Sequence, residues 1–189
     1  MNEETSVAAK VIKLHEKEFE LYISNDEIQK RVMEIAAKIN EDMAGKNPLF
    51  IGVLNGAFLF CADVFKHLTI ECELSFVRVS SYAGTTSSGA VKTVLGLDDS
   101  VKGRTVVFIE DIIDSGKTAT FLTNEINKFQ PESVHWATML VKPESLKYVI
   151  DIAYKGFEVS DDFLVGYGLD YNGNGRNLND LYKERKRNR

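Results

Sequence analysis

Three carboxylates and a hydroxyl-bearing turn stand within nine residues of this chain: Glu110, Asp111 and Asp114, then Ser115-Gly116-Lys117-Thr118. Backbone N–H groups at a glycine-bearing helix start form an anion site, and the helix dipole adds to it. Gly116 lets the backbone approach a phosphate closely, and the Ser115 and Thr118 hydroxyls add donors. Carboxylates beside an anion site are electrostatically awkward unless a cation or a ligand's hydroxyl groups lie between them. A sugar phosphate with a divalent metal resolves that conflict. The P-loop of nucleoside triphosphatases is excluded, because it requires glycine five residues before the Gly-Lys-Thr and that position is Asp111. An ordinary strand–turn–helix connection explains any one of these features but not all of them in this order.

The elements that must position these groups follow from periodicity. Val106–Ile109 is a run of apolar residues suited to a parallel strand covered on both faces, with Glu110 and Asp111 expected where it emerges. A helix is expected over Lys117–Phe129. Earlier in the chain, Phe19–Ile23 reads as a short strand. Asn25-Asp26-Glu27 then caps a helix with Ile28, Val32, Ile35, Ala36, Ile39 and Met43 on one face. Leu49–Leu54 reads as a strand, Ala57–His67 as a helix, and Cys72–Ser80, Val91–Leu97 and Val134–Val141 as strands. The fold class expected is α/β, a doubly wound, mainly parallel sheet. From Pro143 onward the chain is richer in Asp, Gly and Asn and reads as a hood over the strand ends. One domain is expected over 1–189, with the sheet core at about 25–142 and the hood from about 1–24 and 143–189.

Bulk properties narrow the class. A single 189-residue domain buries roughly 70% of its unfolded surface. Net charge is −5, from 23 basic and 28 acidic residues, which argues against a generic nucleic-acid binder. A phosphate ligand must therefore be held by local groups. The basic ending Lys183 to Arg189 reads as a solvated tail. Cys61 and Cys72 form no metal-ligand spacing; both read as core thiols of a reducing compartment. The N-terminus shows no signal peptide, and no apolar run approaches the roughly 20 residues of a membrane span. A cytoplasmic protein without membrane partners is expected.

The run Val106–Thr118 resembles the phosphoribosyl diphosphate (PRPP) signature of type I phosphoribosyltransferases, and its Asp-Ile-Ile-Asp form resembles the hypoxanthine and guanine branch. Further motifs extend the resemblance over nearly the whole chain. It implies that Glu110 and Asp111 hold the ribose hydroxyls and that Ser115, Gly116, Lys117 and Thr118 hold the 5-phosphate. It places Asp114 beside purine N7 as the proton-transfer residue; crowding by two other acids would raise its pKa. Lys142, after Met139-Leu-Val, matches the family's base-reading lysine, which donates to a 6-oxo group and rejects an amino group. Asp162-Phe-Leu-Val-Gly-Tyr-Gly-Leu-Asp170 matches the C-terminal motif. There Phe163 stacks on the purine, Leu164 offers main-chain contacts, and Asp170 lines the purine site and binds magnesium. Glu110 and Asp111 assist the metal through water or substrate. Asn55, Gly56 and Arg176 match the diphosphate site, where an arginine fork suits the leaving group. Ser81-Tyr82 and the following residues through Gly89 match the family's flexible loop, which closes to exclude water.

One departure is plain: relatives often carry Leu-Lys-Gly in the first loop, where this chain has Leu54-Asn55-Gly56. Backbone donors of Asn55 to Ala57 remain for diphosphate there. The family often has a cis peptide in this loop. The resemblance implies a Mg²⁺-dependent purine-salvage transferase that makes IMP or GMP from PRPP and a 6-oxopurine, as a homodimer or homotetramer. Two alternatives stand beside it, a xanthine-preferring transferase and a regulatory nucleotide- or RNA-binding protein on the same fold.

Overall fold

The central strand carrying the acidic pair is β6 (Thr105–Ile113), and it is longer than its apolar run. Ile112 and Ile113 pair with Leu140 and Val141 on β7 (Ser133–Val141), so hydrogen bonding carries the strand past both acids. Glu110 and Asp111 therefore lie within β6 rather than beyond its end. The computed structural model describes residues 10–81, 91–95 and 101–186.

Six strands form the main sheet in the order β5-β4-β3-β6-β7-β8. Here β3 is Leu49–Leu54, β4 Glu73–Ser81, β5 Val91–Leu95 and β8 Tyr154–Glu158. The pairs β4–β3, β3–β6, β6–β7 and β7–β8 are parallel; β5 is antiparallel to β4. The chain leaves β3 through α2 (Phe58–Phe65) toward β4. It leaves β6 through α3 (Lys117–Asn127) in the opposite direction, toward β7. Right-handed crossovers that run in opposite directions put their helices on opposite faces of the sheet. The crevice where the order reverses, between β3 and β6, is where ligands gather in such sheets.

Alternation along the strands divides the core accordingly. Phe50, Val107 and Ile109 pack with α2 and α1 (Asn25–Asp42), whereas Leu49, Ile51, Val106 and Phe108 pack with α3. Phe108 stacks on Trp136 at 4.6 Å, and the Trp136 indole donates to Thr123 of α3 at 3.0 Å. The α1 face is the expected one: Ile28, Val32, Ile35, Ala36, Ile39 and the following Met43 are all buried. Its cap is Ser24, one residue before the expected group. Ser24 and Glu27 form a reciprocal capping box, in which the Ser24 backbone N–H donates to the Glu27 carboxylate at 2.9 Å.

The hood is an antiparallel sheet, β1-β2-β10-β9, of Val11–Leu14, Lys17–Ile23, Leu181–Glu184 and Leu164–Val165. Phe19, Val165 and Tyr182 form its own small core. Several expectations change here. Residues 154–158, expected in the hood, form β8 at the edge of the main sheet. The basic ending is not simply a solvated tail: residues through Glu184 are strand, Arg185 lies 3.7 Å from Glu18, and Lys186 lies 2.8 Å from Asp162. Helices α2 and α3 stop at Phe65 and Asn127, short of the expected ends. Cys61 is a core thiol, and burial pushes its pKa up to about 12. Cys72 is only half-buried, because Leu74 and Phe76, in phase with it, are themselves exposed. Among the described residues no helix is long and apolar enough to cross a membrane.

Candidate active site

The β6–α3 turn forms one wall. Gly116 has φ +81 and precedes α3, the Lys117 N–H donates to the Ser115 hydroxyl at 3.4 Å, and the turn borders a pocket lined by Glu110 and residues 112–119. The positive φ at Gly116 favours glycine, and an added Cβ would meet only the movable end of the Ile150 side chain, at 2.5 Å. The Ser115 carbonyl accepts from the Lys147 N–H at 3.0 Å, which ties the turn to the segment after β7. The expected phosphate-binding residues Ser115, Gly116, Lys117 and Thr118 are thus contiguous around one open helix start.

The acidic pair forms the floor. Asp111 is 9% exposed, and its Oδ1 accepts from the Ile112 N–H at 2.9 Å. One oxygen of Glu110, Oε2, is buried with no partner among the described residues. Burial, then the charge of Asp111, pushes the Glu110 carboxyl well above the usual carboxylate range, and burial also raises Asp111. An orphaned buried carboxyl oxygen is costly unless a donor reaches it. Like-charge crowding is strong between Glu110 and Asp111. Asp114 is half-exposed, and the Lys142 ammonium is 3.6 Å from it.

Lys142, which follows β7, is 8% exposed rather than solvated. Its ammonium lies between Asp114 and Asp161, the latter at 3.4 Å, and Ser145 donates to Asp161 at 2.9 Å. Asp161 is a partner the sequence reading did not single out, and nothing in its local pattern marked it.

The third wall is the 163–176 segment. Phe163 is 42% exposed, with its ring against Tyr171 and Phe19 and the Lys17 ammonium 5.3 Å from its centroid. Leu164 is buried in β9. Asp170 receives the Arg176 guanidinium at 2.5 Å on Oδ1 and the Gly173 N–H at 2.7 Å on Oδ2. Arg176 also donates to the Gly168 carbonyl at 2.7 Å.

The Leu54–Asn55 peptide after β3 is cis. Three site segments meet closely at this loop, where two glycines leave the room. A Cβ on Gly56 would fall 1.6 Å from an Asp111 oxygen, and one on Gly168 would fall 2.0 Å from the Gly56 carbonyl oxygen. The structure therefore brings together Asn55, Gly56, Glu110, Asp111, Asp170 and Arg176. Of the expected loop, Ser81 ends β4 opposite Val91, and Tyr82 and the following residues through Ala90 lie outside the described residues.

Among the described residues no group of three or more His, Cys, Asp or Glu side chains could by itself hold a metal ion. Magnesium takes one or two carboxylates and completes its shell with water and substrate phosphate oxygens. Asp170, next to an arginine suited to diphosphate, offers one such carboxylate.

Known proteins resemble this chain in sequence and in fold. The phosphoribosyl transferase domain model matches residues 23–172. The chain is 45% identical over 156 residues to a hypoxanthine-guanine phosphoribosyltransferase of Streptococcus agalactiae, covering 82% of this chain and 87% of that protein. It is 46% identical over 157 residues to the enzyme of the same name from Bacillus subtilis, with the same shares covered. A crystal structure of a hypoxanthine-guanine phosphoribosyltransferase from Bacillus anthracis superposes with a TM-score of 0.81 at 34% identity, over 88% of this chain and 96% of that one. With the PRPP-type turn, the parallel sheet and the hood in place, this chain belongs to the phosphoribosyltransferase family, in its hypoxanthine-guanine group.

Proposed function

We propose that this protein transfers the phosphoribosyl group of PRPP to hypoxanthine and guanine, giving IMP or GMP and diphosphate. The observation that carries this reading is the placement of Lys142 and Asp114, 3.6 Å apart at the ends of adjacent strands β7 and β6, beside an open helix start. A 6-oxopurine needs both a donor to its exocyclic oxygen and an acceptor for its imidazole proton. The buried lysine supplies the first and the half-exposed carboxylate supplies the second. Relatives named for the same activity support it.

In this mechanism the N–H groups of Ser115, Gly116 and Lys117, with the Ser115 and Thr118 hydroxyls, bind the 5-phosphate. Asp111 and Glu110 accept hydrogen bonds from the ribose hydroxyls, and Glu110 Oε2 gains the partner it lacks. Phe163 presents its exposed ring face to the base, and Leu164 offers main-chain groups to its edge. As the bond to ribose carbon 1 breaks, positive charge develops on the sugar, and the purine nitrogen captures that carbon. Asp114 takes or shares the proton that the imidazole ring gives up. Diphosphate leaves against the backbone N–H groups of Asn55 to Ala57 and the Arg176 guanidinium. Mg²⁺, bound at Asp170 with Glu110 and Asp111 assisting through water or substrate, would neutralise charge on the diphosphate. The loop at Ser81 and Tyr82 excludes water during transfer.

The chain acts as one domain in the cytoplasm, on small molecules rather than on RNA or membranes. It also works as a homo-oligomer: Phe58, Leu74 and Phe76 are large apolar side chains left exposed around α2 and β4, and a second copy would cover them. A PRPP-dependent assay across hypoxanthine, guanine, xanthine, adenine and uracil, with and without Mg²⁺, tests the reading. Turnover of hypoxanthine and guanine that requires Mg²⁺ is expected. Turnover of adenine or uracil alone overturns it.

A further inference from the structure

The Gly166-Tyr167-Gly168 turn is unusual in that a bulky residue sits in a left-handed conformation between two glycines that do the same, with φ of +97, +45 and +98. A residue with a Cβ is held there only when its surroundings determine it. Tyr167 is 3% exposed, and its hydroxyl donates to Asp63 of α2 at 2.8 Å. Asp63 is a lone carboxylate on a helix that otherwise reads Phe-Leu-Phe-Cys-Ala-Asp-Val-Phe. It also accepts from Gln29 of α1 at 2.7 Å and from Lys66 at 2.8 Å. Burial pushes its carboxyl upward, but these donors outweigh burial and hold it below the usual range. It is therefore an anionic anchor fixed by two helices.

What this anchor holds is the diphosphate end of the site. The Tyr167 N–H donates to the Leu178 carbonyl at 2.8 Å, and the Gly168 N–H donates to the Arg176 carbonyl at 3.0 Å. The Arg176 guanidinium returns to the Gly168 carbonyl at 2.7 Å. Both the backbone and the side chain of Arg176 are thus set by the residue next to Tyr167. On its other side Gly168 abuts the Gly56 carbonyl, and the chain after Gly56 runs directly into α2, which bears Asp63. Asp63, Tyr167, Gly168 and Gly56 close a loop of contacts around the diphosphate groups. The purine side, with Lys142, Asp114 and Phe163, makes none of these contacts.

The geometry points to Asp63 and Tyr167 as a positioning pair that sets Arg176 and the Asn55–Ala57 loop for the diphosphate group, without touching substrate. This rests on the proposed transferase activity. Tyr167→Phe keeps the buried ring and removes only the strut. The expected result is a rise of about tenfold in the KM of PRPP and, in the reverse reaction, of diphosphate. The KM of hypoxanthine should hardly change, while the unfolding temperature falls modestly with the lost hydrogen bond. Asp63→Asn, whose amide oxygen still accepts from Tyr167, should fall between wild type and Tyr167→Phe. Calorimetric titration of PRPP with Mg²⁺ into wild type and Tyr167→Phe reads the same effect without turnover. Wild-type protein that binds PRPP but converts no 6-oxopurine would sink the proposed activity and leave the pair to be judged on that titration. Unchanged PRPP affinity in Tyr167→Phe, or KM values for both substrates that shift in parallel with stability, would overturn the positioning role.

Discussion

Replacing Lys142 by methionine removes one ammonium and keeps an unbranched chain in a position 8% exposed. Its ionic partners Asp114 and Asp161 have side chains 54% and 71% exposed, so water screens most of either attraction. The unfolding temperature should therefore move little. Toward substrate the expectation is different, because the donor itself is buried. A hydrogen bond from a charged donor contributes about 1.5–3 kcal/mol, which corresponds to roughly 10- to 150-fold in kcat/KM for hypoxanthine. Adenine presents an amino group at the same position and leaves the wild-type donor without an acceptor. Methionine removes that penalty along with the bond, so the preference for hypoxanthine over adenine should shrink by at least the same factor. Initial rates with both bases at saturating PRPP, beside thermal unfolding of the two proteins, measure this. A preference that stays within about twofold of wild type would refute the base-reading role, whatever happened to the rates.

Other substitutions probe the remaining parts. Asp114→Asn keeps the shape and loses the proton acceptor, so kcat should fall by about 10²–10⁴ with little change in the KM of PRPP; full turnover with hypoxanthine and guanine would remove the assignment. Gly168→Ala places a Cβ 2.0 Å from the Gly56 carbonyl oxygen at φ +98, so the variant should melt earlier and bind PRPP more weakly, as thermal unfolding and PRPP titration would show. Glu110→Gln tests the buried acid in the ligand-free protein. Burial and the charge of Asp111 raise the folded pKa of Glu110, so its contribution is intact below the unfolded value of about 4.3 and is lost as pH rises through the folded value. Glutamine has no such proton, and wild type should lose stability relative to the variant as pH rises, by at most about 1.4 kcal/mol per pH unit. Urea unfolding at about pH 4.5 and about pH 8 would show it, and an equal difference at both would refute it.

Where helix periodicity is strong, sequence and structure agree residue by residue. Ile28, Val32, Ile35, Ala36 and Ile39 recur at helical spacing because one face of α1 must meet the sheet, and all five are buried. The end of β6 was less legible. Glu110 and Asp111 look like a strand terminus because acids are rarely buried within sheets, yet hydrogen bonds to β7 continue to Ile113. Strand β8 was hidden for a related reason. Tyr154-Lys-Gly-Phe-Glu has no apolar run, and its place depends on an edge of β7 that local sequence does not show. A Cβ on Gly156 there would sit 2.2 Å from the Met139 carbonyl, a constraint set by the neighbouring strand alone.

The residues proposed to carry chemistry could be named from sequence because each belongs to a short motif whose spacing is itself chemical. A phosphate turn needs glycine and hydroxyls in order, and a base reader follows an apolar strand. The sequence by itself therefore determined the family and the α/β architecture, and it named the residues proposed to face the substrate. Only the tertiary structure decided which of these groups act together. It buried Glu110 beside Asp111, set the Lys142 ammonium beside Asp114, and joined Tyr167 to Asp63 across 104 residues. The physical reason is that charge coupling depends on distance and burial, and folding brings together groups that no local pattern relates.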